Sequence, residues 1–129
     1  MPSQIFVNLP VADLPRARHF YTALGFALNE RFSNDQGACI VISEHVYVML
    51  LVRPYFQTFT HLPVAEPAKA TAVLNALSCE NRAEVESFVA KALAAGGSTP
   101  NPAKDHGFMY QHGFADPDGH QWEVFYMDE

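Results

Sequence analysis

The chain has 129 residues; 49% are apolar types, 12% are aromatic, and 8 Lys/Arg stand against 14 Asp/Glu for a formal charge of −6. This is one ordinary globular domain with ample core material, which excludes intrinsic disorder and makes disulfide or metal staples unnecessary. No run approaches the about 18 apolar residues of a membrane span, the opening MPSQIFVNLP lacks the basic leader of a signal peptide, and no Lys/Arg cluster suits nucleic acid, so a cytoplasmic protein with no membrane or nucleic-acid partner is expected.

Residues 5–11, IFVNLPV, read as a strand: Ile5, Val7, Leu9 and Val11 share one face, Phe6, Asn8 and Pro10 the other. Asp13 is an N-cap and Pro15 sits in the first turn of a helix that runs to about Leu24, with Ala17, Phe20, Tyr21 and Leu24 as its apolar stripe and Gly25 as its stop. Three strands follow, at roughly 26–32, 37–43 and 46–53, separated by turns at 34–37 and 43–45. Pro54, Pro63 and Pro67 mark an irregular connector over 54–71.

Residues 72–79, AVLNALSC, read as the next strand. Asn81 caps a second helix, Glu84 completes a capping box, the stripe is Val85, Phe88, Val89, Ala92 and Leu93, and Gly96 and Gly97 end it. Ser98–Pro102 is a short strand or an extended link, and strands at about 107–115 and 120–127 flank the type I turn Asp116-Pro117-Asp118-Gly119. Cys39 and Cys79 lie far apart on apolar runs and read as reduced core thiols, with no neighbouring base to make either a nucleophile.

The order is βαβββ twice. Laying Phe6 on Leu74, a shift of 68 positions, puts Val11 on Cys79, Asp13 on Asn81 and Phe20 on Phe88. The expected fold is therefore α+β, with two paired βαβββ modules at about 1–53 and 72–129. Two half-sheets of four strands would enclose a cup, with the helices outside.

At this point the sequence resembles the vicinal oxygen chelate superfamily, which contains glyoxalases, bleomycin-binding proteins, fosfomycin-modifying enzymes and extradiol dioxygenases. The resemblance rests on Asn8-Leu9-Pro10-Val11-Ala12-Asp13-Leu14, on Phe20-Tyr21-Thr22-Ala23-Leu24-Gly25-Phe26 and on the run from Phe114 to Glu123, FADPDGHQWE. Val48-Met49-Leu50-Leu51 and Asp105-His106-Gly107-Phe108-Met109-Tyr110 are similar to a bacterial subgroup labelled predicted lactoylglutathione lyases. The resemblance implies the glyoxalase/bleomycin resistance fold, a homodimer, and a divalent metal held by His and Glu on the first and last strands of each module. Carried over by position, those ligands fall on Phe6, Met49, Leu74 and Glu123, of which only Glu123 is a hard donor. The expectation is a cup with no metal and no cofactor.

Strand parity then gives the groups lining the cup: Phe6, Asn8, Tyr47, Met49, Leu74, Tyr110, His112, Glu123 and Phe125. The same set also describes a plain core. Counting outward from the 116–119 turn puts Phe114 opposite Gln121, Gly113 opposite Trp122 and His112 opposite Glu123, which makes His112 and Glu123 the catalytic candidates. The same pair also suits simple mutual neutralisation on a sheet face. Two functions follow. One is a metal-free binder of a small, partly aromatic molecule; the alternative is a glyoxalase-like lyase or dioxygenase in which Glu123, His112 and a further group hold one divalent metal. The charge of −6 favours cationic ligands only where it faces the cup.

Overall fold

The computed structural model describes residues 1–128. The chain divides into two compact units, the first Met1–Glu66 and the second beginning at Pro67. Most of the 54–71 connector therefore belongs to the first unit rather than standing between modules.

In the first unit, β1 (Ile5–Val11), β2 (Ala27–Asn29), β3 (Gly37–Ser43) and β4 (Val46–Val52) form one sheet in the order β1-β4-β3-β2. β1 runs parallel to β4 and the other pairs are antiparallel. The strand expected at 26–32 is shorter, because residues 30–32 wind into a 3-10 turn capped by the Asn29 side chain. Helix α1 (Leu14–Ala23) starts as its sequence dictates: the Asp13 carboxylate accepts the Arg16 N–H at 3.0 Å. Gly25, at φ +108°, turns the chain out of the helix in a conformation that a Cβ would resist. Leu14, Ala17, Phe20 and Tyr21 bury themselves against Leu9, Val11, Ile40, Val48 and Leu50, which makes one face of this sheet the core face.

The connector is more ordered than its prolines suggest. Arg53–Gln57 is a short helix, α2, with Pro54 in its first turn, where a missing N–H is harmless. Behind it the chain folds back on itself. The Arg53 guanidinium donates to the carbonyls of Val64 (3.1 Å) and Ala65 (3.3 Å), and Gln57 Nε2 donates to those of Thr60 (3.0 Å) and Leu62 (2.9 Å). Residues 53–66 thus form a strap held by its own side chains.

The second unit repeats the topology, with β5 (Asn75–Ser78), β6 (Lys104–Asp105), β7 (Met109–Ala115) and β8 (Gln121–Met127) in the order β5-β8-β7-β6. β5 again runs parallel to β8. It is shorter than the 72–79 expected, and Ser98 contributes only an isolated bridge to Ala115. Helix α3 (Arg82–Ala94) is capped by Asn81, whose side chain accepts the Glu84 N–H at 2.8 Å. Glu84 reaches back one residue further than a standard capping box, accepting the Glu80 N–H. Val85, Val89 and Ala92 are buried with Phe114, Trp122 and Val124, whereas Leu93, expected in the stripe, is 50% exposed. Among the described residues no helix is long and apolar enough to cross a membrane.

Candidate ligand-binding site

Each sheet has a second face, turned away from its helix. In the first unit the pairs Phe6↔Tyr47, Asn8↔Met49 and Pro10↔Leu51 lie on that face, with Cys39 opposite Met49 on the other side. All four residues expected from β1 and β4 (Phe6, Asn8, Tyr47 and Met49) therefore share one surface. Phe6 stacks on Tyr47 with ring centroids 4.7 Å apart and planes 13° from parallel. The Tyr47 hydroxyl donates to the Glu44 carbonyl at 2.9 Å, which fixes the ring from its far end.

The strap covers part of this surface. Leu51 is buried although it points away from α1. Between strap and sheet lies a cavity of about 280 Å³ lined by Asn8, Leu51, Phe56, Phe59 and Thr60. An engineered apolar cavity of about 150 Å³ accepts benzene, so this one accommodates one or two rings. Phe59 is further braced edge-on by Tyr55, ring centroids 5.2 Å apart. Two of the lining residues, Thr60 and Asn8, are polar. Thr60 Oγ1 accepts the Leu62 N–H at 3.1 Å, and its own proton has no protein acceptor among the described residues. Among the described residues the Asn8 side chain makes only a long contact, from Nδ2 to the Phe6 carbonyl at 3.4 Å.

Phe56, Phe59 and Thr60 were hidden from sequence reasoning. Their signal was Pro54 followed by aromatics at positions 56 and 59, a helical i, i+3 spacing after a helix-opening proline. The density of prolines masked it.

In the second unit Glu123 and Phe125 also lie on the face away from the helix, together with Ala76 and Ser78. Leu74, just before β5, is 55% exposed. The expected pairing of His112 with Glu123 is overturned. The observed partners are Ala115↔Gln121, Phe114↔Trp122, Gly113↔Glu123 and His112↔Val124. The turn at 116–119 is the one read from sequence, since Gly119 N–H donates to the Asp116 carbonyl at 2.9 Å. Pairing resumes one residue earlier than counted, because Asp116 N–H meets the His120 carbonyl at 2.9 Å across a three-residue loop. Gly119 closes that loop at φ +104°. The Asp116 side chain stabilises it by accepting N–H groups from Asp118, Gly119 and His120. A shift of one residue turns every β7 side chain over.

His112 and Tyr110 consequently sit on the helix side of the sheet, away from Glu123. His112 Nε2 lies 3.2 Å from the Asn101 carbonyl. The Arg82 guanidinium of α3 lies 4.1 Å over the Tyr110 ring and donates to Glu86 and Asp105. Asp105 is held below the usual carboxylate range, first by the Gly107 N–H and then by Arg82. The Asp105–Tyr110 run is thus a clasp between α3 and the β6–β7 hairpin. A shallow hollow of about 120 Å³ beside it is lined by Arg82, Asp105, Phe108, Tyr110, Tyr126 and Asp128. Opposite Glu123 stands Gly113, where a Cβ would come within 3.3 Å of Glu123 Oε2 and 3.0 Å of the Trp122 carbonyl. Cys79 is not a nucleophile: burial first, then Glu84, pushes its thiol up to about 12. Burial likewise raises Cys39.

Two four-stranded βαβββ units of identical strand order, one bearing an aromatic pocket, define the class of this protein. It belongs to the Glyoxalase/Bleomycin resistance protein/Dioxygenase superfamily, which it matches over residues 4–124. No curated protein matches the chain. Among solved structures it is similar to hypothetical protein SA1046 from S. aureus, at 28% identity over 98% of this chain and 95% of that one, with a TM-score of 0.84. It is similar to protein ATC0852 from Agrobacterium tumefaciens, at 25% identity over 100% of both chains, TM-score 0.76. A glyoxalase-related enzyme from Fulvimarina pelagi shares the fold, at 23% identity over 95% of this chain and 87% of that one, TM-score 0.82.

The positions to which the resemblance assigns a divalent metal do not fit one. Phe6 and Leu74 have no lone pair to donate, and the Met49 thioether is too soft for an ion of oxygen and nitrogen sites. That leaves the Glu123 carboxylate. Among the described residues no group of three or more His, Cys, Asp or Glu is placed to hold an ion.

Proposed function

We propose that this protein binds a small, partly aromatic molecule without a metal, in the cavity that the strap forms over the first unit's sheet. The observation that supports this reading is the cavity of about 280 Å³ between Asn8, Leu51, Phe56, Phe59 and Thr60. It combines apolar walls with two polar lining residues, the composition of a small-molecule site. The stacked Phe6 and Tyr47, with Met49, extend the same surface. A homodimer and the lactoylglutathione-lyase-like subgroup are proposed on the resemblance alone. The lyase or dioxygenase alternative needs His112 and Glu123 together, and their strands turn them to opposite faces.

Titration of the labelled protein with benzyl alcohol or indole, followed by amide chemical shifts, tests the binding reading. Shifts should concentrate at Asn8, Leu51 and residues 56–60, and Phe56→Ala should weaken binding about tenfold. Stoichiometric metal in protein purified without chelator, together with turnover of methylglyoxal and glutathione, would overturn the metal-free reading. Light scattering on the eluting protein reports the dimer.

A further inference from the structure

We infer that the natural ligand of the strap cavity is an uncharged aromatic molecule carrying a hydrogen-bond acceptor that meets the Thr60 hydroxyl. This deepens the binding reading and rests on it.

The first ground is the distribution of charge. The chain carries −6, and 22 of its residues are ionised Asp, Glu, Lys or Arg (14 acidic, 8 basic). Among the described residues none of them lines the cavity. The residues that β1, β3 and β4 turn to this side, among them Phe6, Asn8, Cys39, Val41, Tyr47 and Leu51, include no Asp, Glu, Lys or Arg. The Cys39 thiol is buried and shifted upward, so it stays neutral near neutral pH. The cation nearest in sequence, Arg53 at the start of the strap, is spent within it. Its guanidinium donates to the Val64 and Ala65 carbonyls and lies 3.9 Å from the Glu66 carboxylate. A charged ligand would gain no counter-ion here and would lose part of its water against Leu51 and Phe56, even with Phe59 68% exposed, which disfavours it. A neutral ring loses nothing comparable and gains contact with Phe56, Phe59 and Leu51.

The second ground is the state of the polar groups. Thr60 Oγ1 accepts the Leu62 N–H and keeps a second lone pair, but its proton is the group that has no protein partner among the described residues. That selects an acceptor on the ligand, such as a carbonyl, ether or phenolic oxygen. Asn8 adds an amide whose own contact, at 3.4 Å, is weak enough to be exchanged for a ligand. The acidity of the chain as a whole predicts attraction for cations; this surface predicts the opposite preference, for no charge at all.

The experiment compares matched single-ring probes on the intact protein. Benzamide and benzyl alcohol are neutral, benzoate is an anion and benzylamine a cation. Affinities are read from amide shifts at residues 56–60. Both ions should bind at least about tenfold more weakly than benzamide. 4-Nitrophenol, titrated through its own ionisation, should bind as the phenol and be released as the phenolate, with its apparent pKa raised in the presence of protein. Thr60→Val keeps the shape and removes the proton together with the acceptor of the Leu62 N–H; it should weaken benzamide several-fold and leave toluene, which reports any change in the strap itself, unchanged. Benzoate or benzylamine binding as tightly as benzamide would overturn the inference while leaving aromatic binding intact. Toluene weakened as much as benzamide by Thr60→Val would overturn the acceptor. If no probe, neutral or charged, moves these signals, the binding reading itself falls and this inference falls with it.

Discussion

The two units share strand order, parallel closing pair, capped helix and glycine stop, yet they finish their second faces differently. In the first unit the strap Arg53–Glu66 folds over the sheet, buries Leu51 and leaves an aromatic cavity. In the second, the corresponding β8 residues Gln121, Glu123 and Phe125 are half-buried and two of the three are polar. The comparison shows that a duplicated scaffold dictates where a second face lies but not what it is for. That is decided by what the chain adds after the fourth strand, and by side chains that the fold itself does not need.

The largest effect should come from removing the packing that the strap creates. Leu51→Ala, beneath the strap, should cost about 3 kcal/mol in urea unfolding. Phe125→Ala, at the corresponding half-buried place in the second unit, should cost about 1 kcal/mol. Equal losses would mean that the two faces are packed alike. Next comes Gly113→Val, with an expected cost of about 1–2 kcal/mol. Its Cβ meets the rigid Trp122 carbonyl at 3.0 Å as well as the Glu123 carboxylate. The counterpart in the first unit, Cys39 opposite Met49, already carries a side chain. A neutral outcome at Gly113 would break that contrast.

Smaller again is Arg53→Ala. It removes two hydrogen bonds from a half-exposed guanidinium and should cost about 1 kcal/mol. Hydrogen exchange should rise over residues 58–66 and stay unchanged in the second unit. A change confined to thermal stability, with no faster exchange in the strap, would deny Arg53 its holding role. In the second unit Cys79 offers a pH test. Its thiol is raised from 9.0 to about 12 in the folded chain, chiefly by burial. Between those values the unfolded chain has lost a proton that the folded chain keeps, so stability falls as pH rises. Cys79→Ala should flatten that alkaline loss, measured as the urea midpoint against pH.

Much of this was legible beforehand, for identifiable reasons. Period two in IFVNLPV placed Phe6 and Asn8 on the second face. The caps Asp13 and Asn81 marked both helix starts, since a side-chain oxygen before an apolar stripe has little other use. The pocket was not legible. Its walls Phe56 and Phe59 stand in a segment whose order comes from Arg53 and Gln57 reaching carbonyls several residues away, and such contacts leave no periodicity. The β7 register failed for a different reason. The turn was recognised, but a glycine closing it in the left-handed region adds a third loop residue, and composition alone does not separate two from three.

That register is also the basis of the smallest expected effect. If His112 and Glu123 were neighbours, removing both would cost measurably less, or more, than the sum of the single losses. With His112 opposite Val124 and Glu123 opposite Gly113, the two side chains leave the sheet in opposite directions. The cycle of His112→Ala, Glu123→Ala and the double variant should therefore close to within about 0.5 kcal/mol. The first unit supplies the control. Phe6 and Tyr47, stacked at 4.7 Å, should show a coupling of about 1 kcal/mol under the same urea measurement. A null in the second unit beside a clear signal in the first places His112 with the helix packing. A coupling of similar size in both would restore the imidazole to the carboxylate's face, and with it the acid–base chemistry that this register denies.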